Sequence, residues 1–279
     1  MIPHRPHAVS VQGVLSDAMN LIQSATSHLE ISPFQQSVDF WCWVSNFGIR
    51  AVNFWDFCCL FAGHSYLARF LDLPGFLLVA SYFVIGTAVT KVKMAQKEAQ
   101  GVAEKRKGRR GPGSVIGSSA AGCVCAFLSI FGIGGRAFLA LWQLGFVASF
   151  CTKLSDTVSS EIGKAYGKTT YLVTTFKVVP RGTEGAVSAE GTLAGLLASI
   201  LLASIGCILG FVETLLINAP EAVICVIASQ IANVGESIIG AAFQEKEGFQ
   251  WLNNDAVNVI NISVGSILAV LMQQVFLRS

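Results

Sequence analysis

Charged side chains are scarce in this chain of 279 residues. They make up 13% of it, about half the share found in an ordinary soluble domain, whereas 53% of the residues are hydrophobic. Such a composition excludes a disordered chain and is not that of a soluble enzyme. Glycine is frequent but follows no three-residue period, so a collagen-like structure is excluded as well.

The motifs that soluble proteins use for metal binding and nucleotide chemistry are missing too. The eight cysteines form no C-x-x-C pair, and most lie inside apolar runs, so they are interpreted as packing residues. All four histidines precede residue 65, which makes a Ser-His-Asp arrangement with the later polar residues implausible. The absence of a G-x-x-x-x-G-K-[ST] sequence excludes a P-loop enzyme.

Long apolar runs are what the chain has instead, and they predict an all-α, polytopic integral membrane protein. A helix crosses a bilayer in about 20 apolar residues. Six runs fit this requirement, and a seventh candidate at 40–62 carries Arg50 and Asp56, which are costly in lipid. The six predicted spans are 74–90, 114–133, 137–152, 193–212, 219–242 and 257–276.

The polar segments between the spans alternate in length, and this alternation predicts the topology. Long loops on one face hold most of the basic residues, whereas the short turns on the other face hold Arg69 and Arg136. Basic residues stay on the side of insertion, so the long loops are expected to face the cytosol, the stroma or an equivalent compartment. We therefore expect a polar N-terminal segment, 1–39, and one membrane domain, 40–279. The functional loops predicted on that face are 91–113, 153–191 and 243–255.

Polar side chains follow one face of each of the last two predicted helices. In the span 219–242, Asn233 and Glu236 belong to a stripe at helical spacing, and Asn258 and Asn261 do the same in the last helix. Such stripes either form hydrogen bonds between packed helices or line a functional cavity. A carboxylate inside a membrane needs a cation, a proton or a partner, so Glu236 favours the functional interpretation.

The loop 153–191 is long for a connection between two spans, which is typical of a functional segment. Asp156 can share a helical face with Ser160, whereas Glu161 converges with Asp156 only if the helix breaks between them. Mg²⁺ takes one or two carboxylates and completes its coordination with water and phosphate oxygens, so these residues predict a magnesium site. The candidate metal ligands are Asp156, Glu161, Glu236 and Asp255.

Basic residues and glycines on the same face point to phosphate binding. The segment 91–113 carries eight basic and two acidic residues, and it serves as a lipid-surface anchor, as a phosphate clamp or only as a topology signal. Further along, the glycine-rich segment 180–192 can present backbone N–H groups to an anion. The candidate catalytic residues are Asp156, Glu161, Lys177 and Arg181, and the candidate substrate- and phosphate-binding residues are Lys107, Arg109, Arg110, Gly182, Thr183, Gly185, Ser188, Asn233, Asn258 and Asn261.

A weak internal repeat leaves a second class of function open. An offset of 80 residues relates Asp156 and Thr157 to Glu236 and Ser237, with an Ala-Ser pair at the same distance before each. A parallel repeat of this kind is typical of transporters. The alternative to an enzyme is therefore a transporter or carrier of a phosphorylated lipid or other anion. A structural membrane subunit is the third class, and it predicts that the loop 153–191 tolerates substitution.

Several segments of the chain are distinctive as sequences. They include SDTVSSEIGKAYGKTTYLVTTFKVVPRGTEGAVSAEG, SQIANVGESIIGA and WLNNDAVNVINI. Over residues 75–277 the chain closely resembles the plastid phytyl-phosphate kinases of the plant vitamin E pathway, part of a wider family of integral membrane proteins.

This resemblance implies a membrane-bound kinase that converts phytyl phosphate into phytyl diphosphate for tocopherol synthesis. It implies a nucleoside triphosphate as donor, with CTP as a candidate, and a location in the chloroplast envelope. The expected partners are the lipid substrate and the membrane, and no nucleic acid, while the oligomeric state is left open.

Overall fold

Seven helices and one pair of very short strands make up the described part of the chain. The computed structural model describes residues 72–103, 112–210, 217–244 and 246–276. In chain order the elements are α1 (Asp72–Lys91), α2 (Met94–Ala99), α3 (Pro112–Ile130), α4 (Arg136–Tyr166), β1 (Tyr171–Leu172), β2 (Ala186–Val187), α5 (Ala189–Gly210), α6 (Ala219–Phe243) and α7 (Asn254–Phe276). The predicted all-helical architecture is thus confirmed for these residues, apart from the small strand pair.

Five of these helices, α1, α4, α5, α6 and α7, are long and apolar enough to cross a membrane. Helix α3 has a shorter apolar stretch, Gly113–Ser129, so the predicted count of six spans is not confirmed. The seventh candidate span, 40–62, lies outside the described residues. All six predicted segments nevertheless coincide with helices, because each apolar run was long enough to mark one.

The largest difference from the prediction is the length of α4. The sequence predicts a span at 137–152 followed by a loop, whereas the helix runs unbroken for 31 residues to Tyr166. At 1.5 Å per residue it is about 46 Å long, against about 30 Å for the hydrocarbon layer of a bilayer. Its polar C-terminal turns therefore continue beyond the membrane core, and the apolar run marked only the part inside it.

Helix α4 is also the centre of the packing. It contacts α1, α3, α5, α6 and α7, and 67% of its apolar window is buried, against 28–33% in the other four long helices. Leu144 is fully buried, and the ring of Phe150 lies 5.4 Å from that of Tyr82 and 5.1 Å from that of Phe146. Lipid is as apolar as these side chains, so close packing rather than escape from water stabilises the contacts.

The segment between α4 and α5 folds back on itself. Strands β1 and β2 pair antiparallel, with Tyr171 opposite Val187, and β2 lies within the glycine-rich segment. Ser188 then caps α5, because its hydroxyl accepts a hydrogen bond from the N–H of Gly191 at 3.1 Å. The segment between α4 and α5 thus returns the chain to the C-terminal end of α4.

Candidate functional site

A cavity of about 820 Å³ lies where α1, α4 and α6 end and where α3 and α7 begin. It brings together eleven of the residues that the sequence nominated. They are Asp156, Glu161, Arg181, Gly182, Thr183, Gly185, Ser188, Asn233, Glu236, Asp255 and Asn258. The prediction that these scattered polar residues share one end of the bundle is therefore supported by the geometry.

The inner part of the cavity is organised around Lys153 of α4. Its ammonium group donates to Asp156 Oδ2 at 2.6 Å and to Asn258 Oδ1 on α7 at 2.8 Å. The two charged side chains are 9% and 15% exposed. From the sequence, Lys153 was expected to begin a loop, and it was not among the predicted site residues. The sequence did contain a signal for this site. Lys153 directly follows the apolar run 137–152 and continues its helical register.

Glu236 of α6 faces the same group from the other side. It lies within electrostatic range of Asp156 and Lys153, and Glu184 of the glycine-rich segment is a further acidic neighbour. Glu236 and Asp156 are the two acids related by the 80-residue offset, and the structure does place them at one end of the bundle. One buried lysine thus stands among acidic side chains in this part of the cavity.

Glu161 is placed differently from the metal ligand that the sequence predicted. It forms a buried ion pair with Lys97 of α2, and its other oxygen lies 3.6 Å from the ammonium of Lys164. Lys97 is 0% exposed and also donates to the carbonyl of Thr90 at 2.7 Å. Because α4 does not break, Glu161 and Asp156 remain on different faces of the helix. The carboxylate of Glu161 is accordingly engaged in holding α2 against α4.

The segment 92–103 follows α1, and its last residues, 101–103, form part of the cavity wall. Besides the Lys97 pair, it is held by Lys93, whose ammonium lies 3.9 Å from the ring centre of Tyr166. At its far end Val102 packs so closely on Gly182 that a Cβ at Gly182 would lie 2.8 Å from it. The basic candidates Lys107, Arg109 and Arg110 follow this segment and lie outside the described residues.

The glycine-rich segment forms the opposite wall. Gly182 and Gly185 have φ values of +84° and +71°, which favour glycine. A side chain at Gly185 would collide with the backbone of Ser237 and Ala241 on α6. The glycines therefore fix the segment against α6. Thr183 donates to the Pro180 carbonyl at 2.8 Å, so its hydroxyl closes the local turn.

Hydrogen-bonded amides continue from the cavity into the bundle. Asn233 donates to Ser155 Oγ at 2.9 Å, and Asn261 donates to Asn233 Oδ1 at 3.0 Å. Gln230 donates to Ser155 and Ser199 at 3.0 and 3.1 Å. Asn261 bonds to Asn233 and does not line this cavity, and its predicted contact with substrate stays a prediction.

Two further candidates are placed away from the inner cavity. Lys177 is exposed in the turn between the strands and does not line the cavity. Asp255 does line it, but its carboxylate lies directly against Gly113 at the start of α3. A carboxylate is favourable at a helix N-terminus, which gives Asp255 a local structural role.

The described residues contain no group of three or more His, Cys, Asp or Glu side chains that would hold a metal on their own. Mg²⁺ is commonly bound by one or two carboxylates with phosphate oxygens and water completing the shell. Asp156 and Glu236 fit that smaller donor set, because both line the cavity and lie within electrostatic range of each other. Glu161 fits it less well, because two lysines, Lys97 and Lys164, contact its carboxylate, whereas one lysine contacts that of Asp156.

Comparisons with known proteins identify relatives of this chain. Residues 57–266 match the family model "Integral membrane protein DUF92". The chain is 64% identical to "Protein VTE6, chloroplastic" of Arabidopsis thaliana over 272 residues, which are 98% of this chain and 80% of that protein. This range extends beyond the segments that carried the resemblance in the sequence.

More distant relatives are uncharacterized membrane proteins. One from Synechocystis sp. is 49% identical over 72% of this chain and 74% of its own length. One from Methanocaldococcus jannaschii is 33% identical over 82% of this chain and 85% of its own length. No solved structure matches. The resemblance to a plastid protein within a wider membrane family is confirmed, and it places the chain in a plastid membrane.

Proposed function

The chain belongs to the DUF92 family of integral membrane proteins, and from that premise we propose that it is a lipid-phosphate kinase. It transfers the terminal phosphoryl group of a nucleoside triphosphate, with CTP as the first candidate, to phytyl phosphate. The product, phytyl diphosphate, supplies the vitamin E pathway, and the enzyme resides in the chloroplast envelope. In this proposal α3 serves as the sixth membrane span.

A single observation carries the proposal. The cavity at the end of the membrane helices combines a buried lysine, two neighbouring carboxylates, an arginine and a glycine-rich wall. Lysine and arginine neutralise phosphate oxygens, and carboxylates hold the divalent ion that accompanies a nucleotide. A lipid with a phosphate head can reach such a cavity while its hydrocarbon chain stays among apolar helices.

The reaction asks little covalent chemistry of the protein. An anionic oxygen of phytyl phosphate attacks the terminal phosphorus of the triphosphate, a P–O–P bond forms, and the bond to the departing nucleoside diphosphate breaks. The attacking oxygen is already ionised at neutral pH, because the second pKa of a phosphate monoester is about 6, so no general base is needed. Catalysis then rests on positioning two polyanions and offsetting their charge.

The chain's own residues have distinct tasks in this scheme. Asp156 and Glu236 would hold Mg²⁺, which when bound supplies charge neutralisation on the donor phosphates. Arg181 and the glycine-rich wall contact the donor. The Lys97–Glu161 ion pair keeps the segment 92–103 in place as the facing wall.

The test is product formation in membranes that contain this chain. Membranes would receive phytyl phosphate, Mg²⁺ and either CTP or ATP, and phytyl diphosphate would be measured by mass spectrometry. We expect product with one preferred nucleotide and none when Mg²⁺ is chelated. Arg181→Met is expected to reduce turnover, whereas Lys246→Met, an exposed lysine on the same face, should not.

Two outcomes would overturn the proposal. Absence of diphosphate from correctly folded protein with every nucleotide would remove the kinase. Passage of unchanged phytyl phosphate across sealed vesicles would favour the transporter class, for which the acids Asp156 and Glu236 would form a substrate or ion site.

A further inference from the structure

We propose that Lys153 and Asn258 bind the phosphate of the lipid substrate in an inner subsite, separate from the nucleotide subsite at the rim. This assignment rests on the proposed function and deepens it by stating which end of the cavity takes which substrate. The ligand class is a phosphate monoester attached to a single hydrocarbon chain.

Placing the charged side chain of Lys153 at this position costs free energy. The residue is 7% exposed, and it lies within a helix long and apolar enough to cross the membrane. A charged group in that position is expensive and is generally found where it serves a substrate, an ion or a fixed partner. Asp156 offsets its charge, but the salt bridge lies on the cavity wall rather than being sealed in the packed core.

The depth of Lys153 in the membrane also favours a lipid phosphate as its ligand. Lys153 comes 17 residues after Arg136, about 26 Å along α4, and Glu236 lies the same distance from the start of α6. The hydrocarbon layer is about 30 Å thick. Both residues therefore lie where acyl chains give way to headgroups on the cavity side. A lipid phosphate is found at that depth, whereas a soluble nucleotide arrives from the water.

Lys153 also has hydrogen-bonding capacity that its partners among the described residues leave unused. An ammonium group has three N–H donors, and the described residues supply two acceptors, Asp156 Oδ2 and Asn258 Oδ1. The third donor is thus available for a phosphate oxygen. Asn258, 7% exposed and lining the cavity, adds an NH₂ group beside the oxygen that accepts from Lys153.

The other cations of the cavity are positioned for the second substrate. Lys164 follows Lys153 by 11 residues on α4, about 16 Å further along the axis, and its side chain is 28% exposed. Arg181 belongs to the loop beyond the helix end. These residues lie on the aqueous side of Lys153, which places the nucleotide at the rim and the lipid phosphate inside.

The test is ligand binding by the full chain in detergent, which does not depend on turnover. Asp156→Asn is compared with the double variant Asp156→Asn/Lys153→Met, so that neither protein contains a buried unpaired aspartate. Unfolding temperatures are measured against increasing phytyl phosphate, phytol and inorganic phosphate. Lys246→Met is the control for loss of a lysine on the same face.

We expect phytyl phosphate to stabilise the Asp156→Asn variant and the Lys246→Met variant. The double variant should bind phytyl phosphate at least about tenfold more weakly than the single variant does. Phytol should bind the single and double variants equally, because it lacks the phosphate. If the unsubstituted chain forms no diphosphate with any nucleotide, phytyl phosphate binding that depends on Lys153 would support this subsite and refute the kinase.

Equal phytyl phosphate affinity in the single and double variants would overturn the assignment. Equally strong, Lys153-dependent binding of inorganic phosphate would also overturn it, since the site would then recognise a free anion rather than a lipid. If the double variant does not fold, Asp156→Asn/Lys153→Arg replaces it. That variant must keep phytyl phosphate binding, because the charge is retained, and its failure to do so counts against the assignment.

Discussion

The two halves of α4 share one continuous helix and have opposite characters. Its first half, from Arg136 to Cys151, is apolar and fills the centre of the bundle, with Leu144, Val147 and Cys151 fully buried. Its second half carries Lys153, which projects into the cavity together with the acids that follow it. Stability and chemistry are thus supplied by successive turns of the same element.

The comparison teaches how polar groups are retained at the end of a membrane helix. In the first half, aromatic rings pack on one another, as Phe146 does on Phe150, and the hydroxyl of Ser149 donates to the backbone carbonyl of Phe146. In the second half, buried charges are offset by specific partners, Lys153 by Asp156 and Glu161 by Lys97. Changes in the first half should therefore affect folding alone, and changes in the second should affect activity or both.

The largest expected effect is that of Asp156→Asn in the second half. We expect turnover to fall by about 100-fold or more, because a carboxylate that holds the donor's metal ion is lost. Folding in membranes should persist, since the amide keeps the shape of the side chain. Diphosphate formation by mass spectrometry, beside the unfolding temperature, measures both. Near-normal turnover would refute the metal assignment of Asp156.

The next effect is that of Lys97→Met, which leaves Glu161 buried without its main partner. We expect a loss of about 3 kcal/mol in the free energy of unfolding, as for other buried ion pairs broken on one side. The double variant Lys97→Met/Glu161→Gln should recover much of this, because no uncompensated charge remains. Denaturation in detergent tests it. A double variant as unstable as the single one would show that the two residues act independently.

Phe146→Ala, a substitution in the first half of α4, should have a smaller effect. It should lower stability and leave substrate binding unchanged. Phe146 is 1% exposed and its ring packs on Phe150. We expect about 2 kcal/mol of destabilisation from the cavity, since lipid removes most of the transfer contribution known from soluble cores. The KM for each substrate should stay unchanged at temperatures where the protein is folded. A shift in one KM alone would contradict the separation of the two halves.

The smallest effect is expected outside α4, at Gly185→Ala. The methyl group would collide with the α6 backbone, and the φ value of +71° adds strain. We expect about a tenfold loss of kcat/KM for the nucleotide as the cavity wall moves, together with a loss of stability from the collision. Gly248→Ala is the matched control, because φ is +87° there but the space is open. Equal losses in both variants would mean that strain, and not the wall, is responsible.

The sequence predicts most of the helices but not where the most important one ends. Apolar length marks the part of a helix inside lipid, so 137–152 was found and the continuation to Tyr166 was not. What holds those polar turns in a helix is tertiary, namely the contacts of Glu161 and Tyr166 with the segment 92–103. No pattern within α4 itself reports those contacts.

The same reasoning explains which site residues could be found. Acids and amides inside or next to apolar runs stand out, so Asp156, Glu236 and Asn258 were nominated from the sequence, and all three line one cavity. Lys177 was nominated for its charge alone, and the strand turn carries it away from the cavity. Lys153 was missed because a lysine at the end of a span is the ordinary mark of topology. Only its contact with Asn258, 105 residues away, distinguishes it.

The central position of α4 also constrains how the protein is assembled in the membrane. Within the described residues, α1 and α3 each pack on α4 and make no substantial contact with each other. Both precede α4 in the chain, so neither has its packing surface on α4 until that helix is in place. Helices α5, α6 and α7 then arrive at a surface that already exists. The order of the chain thereby makes insertion of α4 the step on which native assembly of the whole bundle depends.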